Sequence, residues 1–566
     1  MADDLSLAGR RSGLVVVMNH FIKQLLLKVP VLSEIHERRR DLDTRQAELD
    51  QRRDELDLLW MRMNTLLAGD TLVKEARLES LDERPWNHPY LTSVNIRRFR
   101  QYSDSVWRFA LDYRGSRPEP FKCAFACNMA QNMYNWARLA QNSGAEAALF
   151  PSVMDGTALS SPEWEEFDGE FPDVMDGAAF LRAHPGITLK VPCHRVAFDG
   201  SELYSAYQRF IEGDREPLCR LLAQSPGLRH EVLLGYRGFY SYYRLAKTFS
   251  EYDVIYAAST PFAAYASGRP YAVFSVGGDL QCDCGRVDDL GRAMQVSFNA
   301  ARFLMISNPH SLGHSRRLGL TNGVYLPYPI DDSRYCPGEG LSRREWEARF
   351  GKGVYVLIAA RVDDAVKGYS GEFLKTLVTL TKRCPALRLV FLGWGSNVGD
   401  LKKTIEAAGL DKRMILLPPV GKKRLIDYYR SCDIVLDHFV YGYLGATALE
   451  AAAIGKPVIM KLRTEQYVPL YEKDTPPVMN ADSPEEVGEA LLRLVEHEQF
   501  RSENGVAMRD WLMRTHGAKR TVPLLLALLR VTADRVPLPP DLVNPLSDPG
   551  TEVEKEYHAS CMRVRQ

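Results

Sequence analysis

The chain has 566 residues, with 72 Lys plus Arg against 72 Asp plus Glu, so its formal net charge is zero. One hydrophobic core does not grow to that length, and two or three domains are expected. Hydrophobic residues at 45% and charged residues at 25% match ordinary globular chains, and the charge balance excludes a global basic field for nucleic acid.

The ten cysteines form no CxxC pair, which argues against a zinc site and for a reduced, cytoplasmic setting. The apolar run Leu14 to Met18 is too short for a spanning helix, and no small-residue cleavage site follows it. The segment Leu14 to Leu32 fits two roles: packing on protein, which is favoured, and peripheral contact with the inner membrane surface.

Residues 31–67 read as one long helix. Ile35, Leu42, Leu49, Leu56 and Met63 recur every seven residues, with charges between them. This seam suits weak self-association as a coiled coil, while Arg39, Gln46 and Arg53 spoil its companion positions. A single helix lying on the body of the protein is the competing reading. Residues 1–80 are therefore assigned to an N-terminal helical segment, and 81–120, punctuated by prolines, to a connecting segment.

From Phe121 the chain alternates between short apolar runs and helical stretches. Strands are expected at Phe121 to Cys127, Ala145 to Phe150, Asp253 to Ala258, Tyr271 to Val276, Phe303 to Ser307 and Val324 to Pro327. Helices are expected from about Met129 to Gln141, Glu202 to Gly213 and Glu231 to Ser250. This pattern predicts a doubly wound domain over 121–335. Between Asp155 and Asp176 lie eight acidic residues and no basic one, which reads as a solvated surface insertion. Tyr328 to Gly351, with Pro329, Pro337, Gly338 and Gly340, reads as the linker between lobes.

The second lobe, 336–500, is clearer. Strands are expected at Val354 to Ala360, Leu387 to Leu392, Met414 to Leu417, Asp433 to Asp437 and Pro457 to Leu462. Helices fall near 371–383, 398–408, 421–431 and 445–454. Ser483, Pro484 and Glu486 spell a helix start with a capping box. Residues 501–566 read as one or two helices and a proline-rich, irregular tail. The fold class is α/β, with two Rossmann-like, doubly wound domains preceded by the N-terminal helix.

Parallel α/β sheets bind ligands beyond the carboxyl ends of their strands. Arg361 and Lys367 follow the first strand of the second lobe, and two cations there suit a diphosphate. Gly393 and Gly395 flank Trp394 after the second strand and allow close approach of backbone. Pro418 to Gly421, centred on Val420, offers backbone groups to a base edge. Gly445, Ala446 and Thr447 open a helix whose amides face an anion. Glu450, among small apolar residues of that helix, is placed to accept hydrogen bonds from ribose hydroxyls.

From Val354 to Met460 these pieces resemble the donor-binding lobe of the family 4 retaining glycosyltransferases, which have the two-Rossmann GT-B fold. The resemblance rests on the ensemble ARVDDAVKG, LRLVFLGWG, DIVLDHF and GYLGATALEAAAIGKPVI, in that order. A weaker likeness covers about 121 to 330, through NMAQNMYNWARLAQNSG, DVIYAASTPFAAYASGRPYAVFSVGGDL and SNP. Residues 1–110 match nothing in that family's core.

The resemblance implies transfer of a sugar from a nucleotide-diphosphate donor to a glycan, a lipid-linked acceptor or a protein-linked acceptor, without a metal. Arg361 and Lys367 would hold the pyrophosphate and Glu450 the ribose. Asn128, Gly277, Gly278 and Asp279 would line the cleft, with Asp279 contacting acceptor or transferred sugar. Helices near 503–530 would cross back to the first lobe. Two departures stand out. Gly442 occupies the place of the family's first glutamate, near which Asp437 and His438 are candidates to compensate. The histidine expected after DVIYAAS is absent. These departures keep two other readings open: a non-catalytic scaffold that binds a sugar nucleotide or glycan, and an epimerase of the same architecture. His310 and His314, lacking a third ligand, read as ordinary surface or core residues.

Overall fold

The computed structural model describes residues 37–46 and 88–563, apart from 114, 116–120, 152–156, 175, 226, 230–231, 234–238, 260, 287–288 and 473. The chain divides into two compact units, Met1–Val73 and Lys74–Gln566. In the first unit, residues 37–46 are helical and exposed, with Leu42 of the heptad seam at 64%. The remaining apolar seam positions, and the segment Leu14 to Leu32, lie outside the described residues.

The second unit carries two parallel six-stranded sheets. The first contains β1 (Lys122–Ala126), β2 (Glu146–Phe150), β3 (Val254–Ala258), β4 (Tyr271–Phe274), β5 (Leu304–Ile306) and β6 (Gly323–Tyr325). The second contains β7 (Val354–Ile358), β8 (Leu387–Leu392), β9 (Met414–Leu417), β10 (Ile434–Leu436), β11 (Val458–Met460) and β12 (Met479–Asn480). Their orders are β2-β1-β3-β4-β5-β6 and β12-β11-β10-β7-β8-β9. Helices cover both faces, so strands are apolar throughout rather than alternating; every residue of β3 is buried. Each order reverses once, at β1/β3 and at β7/β10, and a crevice opens at such switch points. The loops after β7 and β10 carry the predicted cations and the predicted helix start.

The helices Gly371–Arg383 and Val398–Ala408 run over the predicted residues. Ser483 caps the helix Pro484–Glu496 by accepting from the Glu486 amide at 3.2 Å. The Glu486 carboxylate reaches the Asp482 amide instead of the Ser483 amide, so half the expected box forms. The helix Ala518–Ala533 returns to the first lobe and packs on β3 and β4. It enters through paired bonds in which the Ile330 amide donates to His516 and the Ala518 amide to Ile330.

Several segments contain helices that the sequence reading did not place. The 81–120 connection contains the helix Ser93–Asp112, capped by Thr92 and buried through Ile96, Phe99, Ser103, Val106, Trp107 and Ala110. That spacing is helical; the prolines around it masked the signal. Trp107 donates to the Tyr325 carbonyl at 2.8 Å and fixes this helix to β6. The linker includes the helix Ser342–Phe350. The single helix expected over Glu231 to Ser250 is, where described at its end, a 3-10 turn Phe239–Tyr242 followed by the helix Tyr243–Phe249. The tail ends in the helix Glu552–Arg563, tied down by an Arg316–Glu554 ion pair at 3.1 Å.

The largest correction concerns the acidic insertion. It is not a solvated loop. Ala158, Trp164, Phe171, Val174 and Phe180 form a small core of their own. Glu163, Glu165 and Glu166 are buried. Burial of carboxylates requires paired charge, and it is present: Arg195 meets Glu163 at 2.7 Å, Arg334 meets Glu165 at 3.3 Å and Glu166 at 3.2 Å. Although burial opposes it, Arg334, Tyr134 and Lys423 hold the Glu166 carboxyl below its ordinary range.

Candidate active site

A cavity of about 170 Å³ lies between the lobes. Gly277 and Ser275 line it from the first lobe, His310 and Asn308 from the following helix start, and Tyr443, Gly445 and Ala446 from the second lobe. Gly277 has φ +99 and open space where a Cβ would stand, so the backbone itself forms that wall.

The helix Ala446–Ile454 starts at this cavity. Its N-cap is Gly445, which provides no side-chain cap. Ala446 is exposed and Thr447 half-buried. The first amides of a helix lack internal partners, so this end presents donors and the positive pole of the helix dipole. Arg361 and Lys367 are half-buried, and within the described residues neither makes an ion pair. Burial pushes the cavity-lining Tyr443 hydroxyl up to about 12, and the Arg361 charge acts against that rise. The Lys367 charge reaches Asp437 in the same way. Two cations thus flank the loop between β10 and the helix.

Asp437 and His438 sit beneath that loop rather than in the cavity. Both are fully buried, with His438 Nδ1 at 3.2 Å from Asp437 Oδ1. Burial opposes ionisation of Asp437, but His438, Lys367 and the Ala448 amide hold its carboxyl below the ordinary range. They lie against Gly445, where a Cβ would stand 3.5 Å from Asp437 Oδ2 and 3.8 Å from His438 Cε1.

Glu450 is 5% exposed and does not face the larger cavity. Lys422 Nζ donates to Glu450 Oε1 at 2.7 Å; Tyr335 and Tyr429 hydroxyls donate at 3.3 and 3.2 Å. With Arg138 and Tyr328 it borders a separate void of about 10 Å³. The carboxylate predicted to meet ribose is therefore satisfied by protein groups.

Five other predicted site residues are engaged by the protein itself. Asp279 is 2% exposed and accepts from the Ser275 hydroxyl at 2.8 Å and from the Val276 and Gly277 amides at 3.1 Å each. It shapes the turn that presents Gly277 and contacts no cleft space; burial pushes its carboxyl up to about 6. Asn128 is fully buried. Its amide donates to Ser160 O at 2.8 Å and its carbonyl accepts from the Tyr134 amide at 2.8 Å, so it anchors the insertion. Gly395, at φ +112, is required by its own chain: a Cβ would stand 2.5 Å from Val362 O. Gly393 donates to Leu417 O at 2.7 Å. Val420 is 1% exposed and lies opposite Glu170 of the insertion in an antiparallel bridge.

At Gly442, φ is +75 and a Cβ would lie 2.7 Å from Arg463 Cγ. Arg463 thus fills the space of the missing glutamate. Sequence reasoning missed Lys422, Arg463 and His310 as neighbours of the site. His310 stacks on Tyr443 with ring centroids 4.7 Å apart, and burial pushes it down to about 4.

Residues 343–503 match the family model Glycosyl transferases group 1. Mannosylfructose-phosphate synthase of Agrobacterium fabrum is 29% identical over 146 residues, which is 24% of this chain and 32% of the relative. D-inositol 3-phosphate glycosyltransferase of Mycobacteroides abscessus is 28% identical over 178 residues, 29% of this chain and 38% of the relative. The chain thus spans about a third of the length of these two curated relatives. Among solved structures, Anabaena HepE in complex with UDP aligns over 72% of this chain and 98% of its own, at 14% identity and a TM-score of 0.47. Sucrose-phosphate synthase of Thermosynechococcus elongatus aligns over 71% and 96%, at 13% identity and a TM-score of 0.46.

Proposed function

From a second lobe that belongs to the glycosyl transferases group 1 family, we propose that the chain transfers a sugar from a nucleotide-diphosphate donor to a glycan, lipid-linked or protein-linked acceptor. One observation carries this reading: an uncapped helix N-terminus opening on an interlobe cavity of about 170 Å³, with the Arg361 charge acting on Tyr443 and the Lys367 charge on Asp437 beside it. As the glycosyl bond breaks, negative charge builds on the departing diphosphate. Helix amides and two cations already in place stabilise that charge without reorganising.

In this reading Arg361 and Lys367 bind the diphosphate, and Gly277 leaves room for the sugar or acceptor. Asp279 holds the Gly277 turn, a positioning role. The cations and amides supply the charge stabilisation that a metal supplies elsewhere, and configuration at the anomeric carbon is retained. Among the described residues no group of three or more His, Cys, Asp or Glu is placed to hold a metal ion, and no helix is long and apolar enough to cross a membrane. The reaction is assigned to the cytoplasm, with residues 31–67 serving self-association and Leu14 to Leu32 contact with the inner membrane surface.

The test is product analysis. Purified chain is incubated with UDP-, GDP- and ADP-sugars and a panel of acceptors. Release of nucleoside diphosphate with a new glycosidic linkage supports transfer, and the linkage configuration reports retention. Binding of donor without release or transfer would favour the scaffold reading. A changed sugar on intact donor would favour the epimerase.

A further inference from the structure

The acidic insertion spans the cleft at the nucleoside end. Its Phe171 amide donates to Pro419 O at 2.7 Å, and the Gly421 amide donates to Gly169 O at 2.9 Å. The Lys423 amide donates to Phe167 O at 3.1 Å. The insertion thus pairs with the 419–421 backbone through one antiparallel bridge, Glu170 opposite Val420. At Gly421 a Cβ would collide with Phe167, so glycine is needed for this contact.

The other ends are also held. Asn128 and Gln131 bind the carbonyls of Ser160 and Ser161 from the first lobe. Arg334 of the interlobe connection binds Glu165 and Glu166, and Lys423 of the second lobe reaches Glu166 at 3.5 Å. Both lobes and their connection are therefore tied to one segment. The turn it holds carries Lys422, whose ammonium occupies Glu450.

We propose that residues 157–174 are a strap that shuts the nucleoside half of the donor site, and that a nucleoside diphosphate binds only after the strap releases the 419–423 turn and Lys422 leaves Glu450. This rests on the donor reading above and adds its regulation. The physical basis is a population shift. When the competent form is a minor fraction, apparent affinity falls by that fraction. The strap sets the fraction through backbone bonds and buried ion pairs. Its apolar core is small, Ala158, Trp164, Phe171 and Val174 packed with Phe180 and against Trp394 of the second lobe, so the segment can detach without opening the lobe cores.

The Glu170–Val420 bridge gives a direct test. The bonds flank this pair rather than join it, and opposed residues of that type have Cα atoms roughly 4.5 Å apart, within the range a disulfide spans. The double variant Glu170→Cys, Val420→Cys is made in the full chain. Binding of UDP, GDP and ADP is measured by calorimetry, oxidised and reduced, with wild type taken through the same cycle. Phe171→Ala, which removes part of the strap's core, is measured beside it.

The expected result is at least tenfold weaker binding in the oxidised form, recovered on reduction. Phe171→Ala should bind at least fivefold tighter than wild type. Equal affinities in the oxidised and reduced forms would overturn the proposal, as would weaker binding by Phe171→Ala. Those outcomes leave the donor reading standing. No binding by any form, Phe171→Ala included, would overturn the donor reading and the strap with it.

Discussion

Replacing Glu450 separates a structural role from a ligand-binding one. Sequence reasoning expects Glu450→Ala to lower turnover while the fold survives. The structure predicts a loss of stability as well. The Lys422–Glu450 pair is 2.7 Å apart, with side chains 13% and 7% exposed. At an effective dielectric constant of about 20, its direct attraction is about 6 kcal/mol. Part of this is offset by the desolvation of both ions. Removing one partner exposes that cost, and breaking such a pair typically costs about 3–5 kcal/mol. Two tyrosine hydroxyls lose their acceptor as well. Glu450→Ala should therefore destabilise the second lobe by about 3–5 kcal/mol. Lys422→Met in the same background should recover a large part, because the stranded ammonium is gone. Urea unfolding of wild type, both single variants and the double variant forms the cycle. Hydrogen exchange on the helix Ala446–Ile454 checks that the loss is local. A change within about 0.5 kcal/mol for Glu450→Ala, the range of surface substitutions, would refute the ion-pair reasoning and favour a carboxylate held free for ribose.

Arg361→Gln and Lys367→Gln should each weaken nucleoside diphosphate binding about tenfold or more, since hydrogen bonds to charged groups are worth about 1.5–3 kcal/mol. Melting temperature should stay near wild type; calorimetry and thermal scans read the two effects. Gly442→Glu should not create a working family glutamate. The left-handed backbone costs a non-glycine residue about 1–2 kcal/mol, and Arg463 must move, so a lower melting temperature with no gain in turnover is expected. His310 and His516 are both pushed down to about 4 by burial. Their folded pKa values lie below the unfolded value of about 6.5. The unfolded chain binds more protons in that window, so stability is present above about 6.5 and lost as pH falls toward 4. His310→Asn should flatten that acid loss in urea midpoints measured across the window. Finally, transfer rates should change less than about twofold on adding EDTA; a collapse restored by a divalent cation would overturn the assignment of charge stabilisation to side chains and amides.

Most strand and helix positions of the second lobe were readable because their causes are local. Buried parallel strands are apolar runs bounded by turn formers. Ser483 before Pro484 caps a helix wherever it sits. Gly445 before a run of small residues likewise marks a helix start, and chain order at a switch point locates the crevice. The helix Ser93–Asp112 was legible too, through its buried periodicity, but its flanking prolines outweighed it.

Side-chain partnership was not local and could not be read. Glu450 finds Lys422 28 positions away, and Glu166 finds Arg334 168 positions away. A glutamate has the same identity whether water, a ribose or an ammonium satisfies it. Eight acidic residues without a basic neighbour in the chain look solvated; three of them are buried because cations arrive from other elements. The sequence by itself determined where the crevice forms. Only tertiary packing decided which of its polar groups remain open to a ligand, because each buried charge needs a partner and the fold supplies it from a distance.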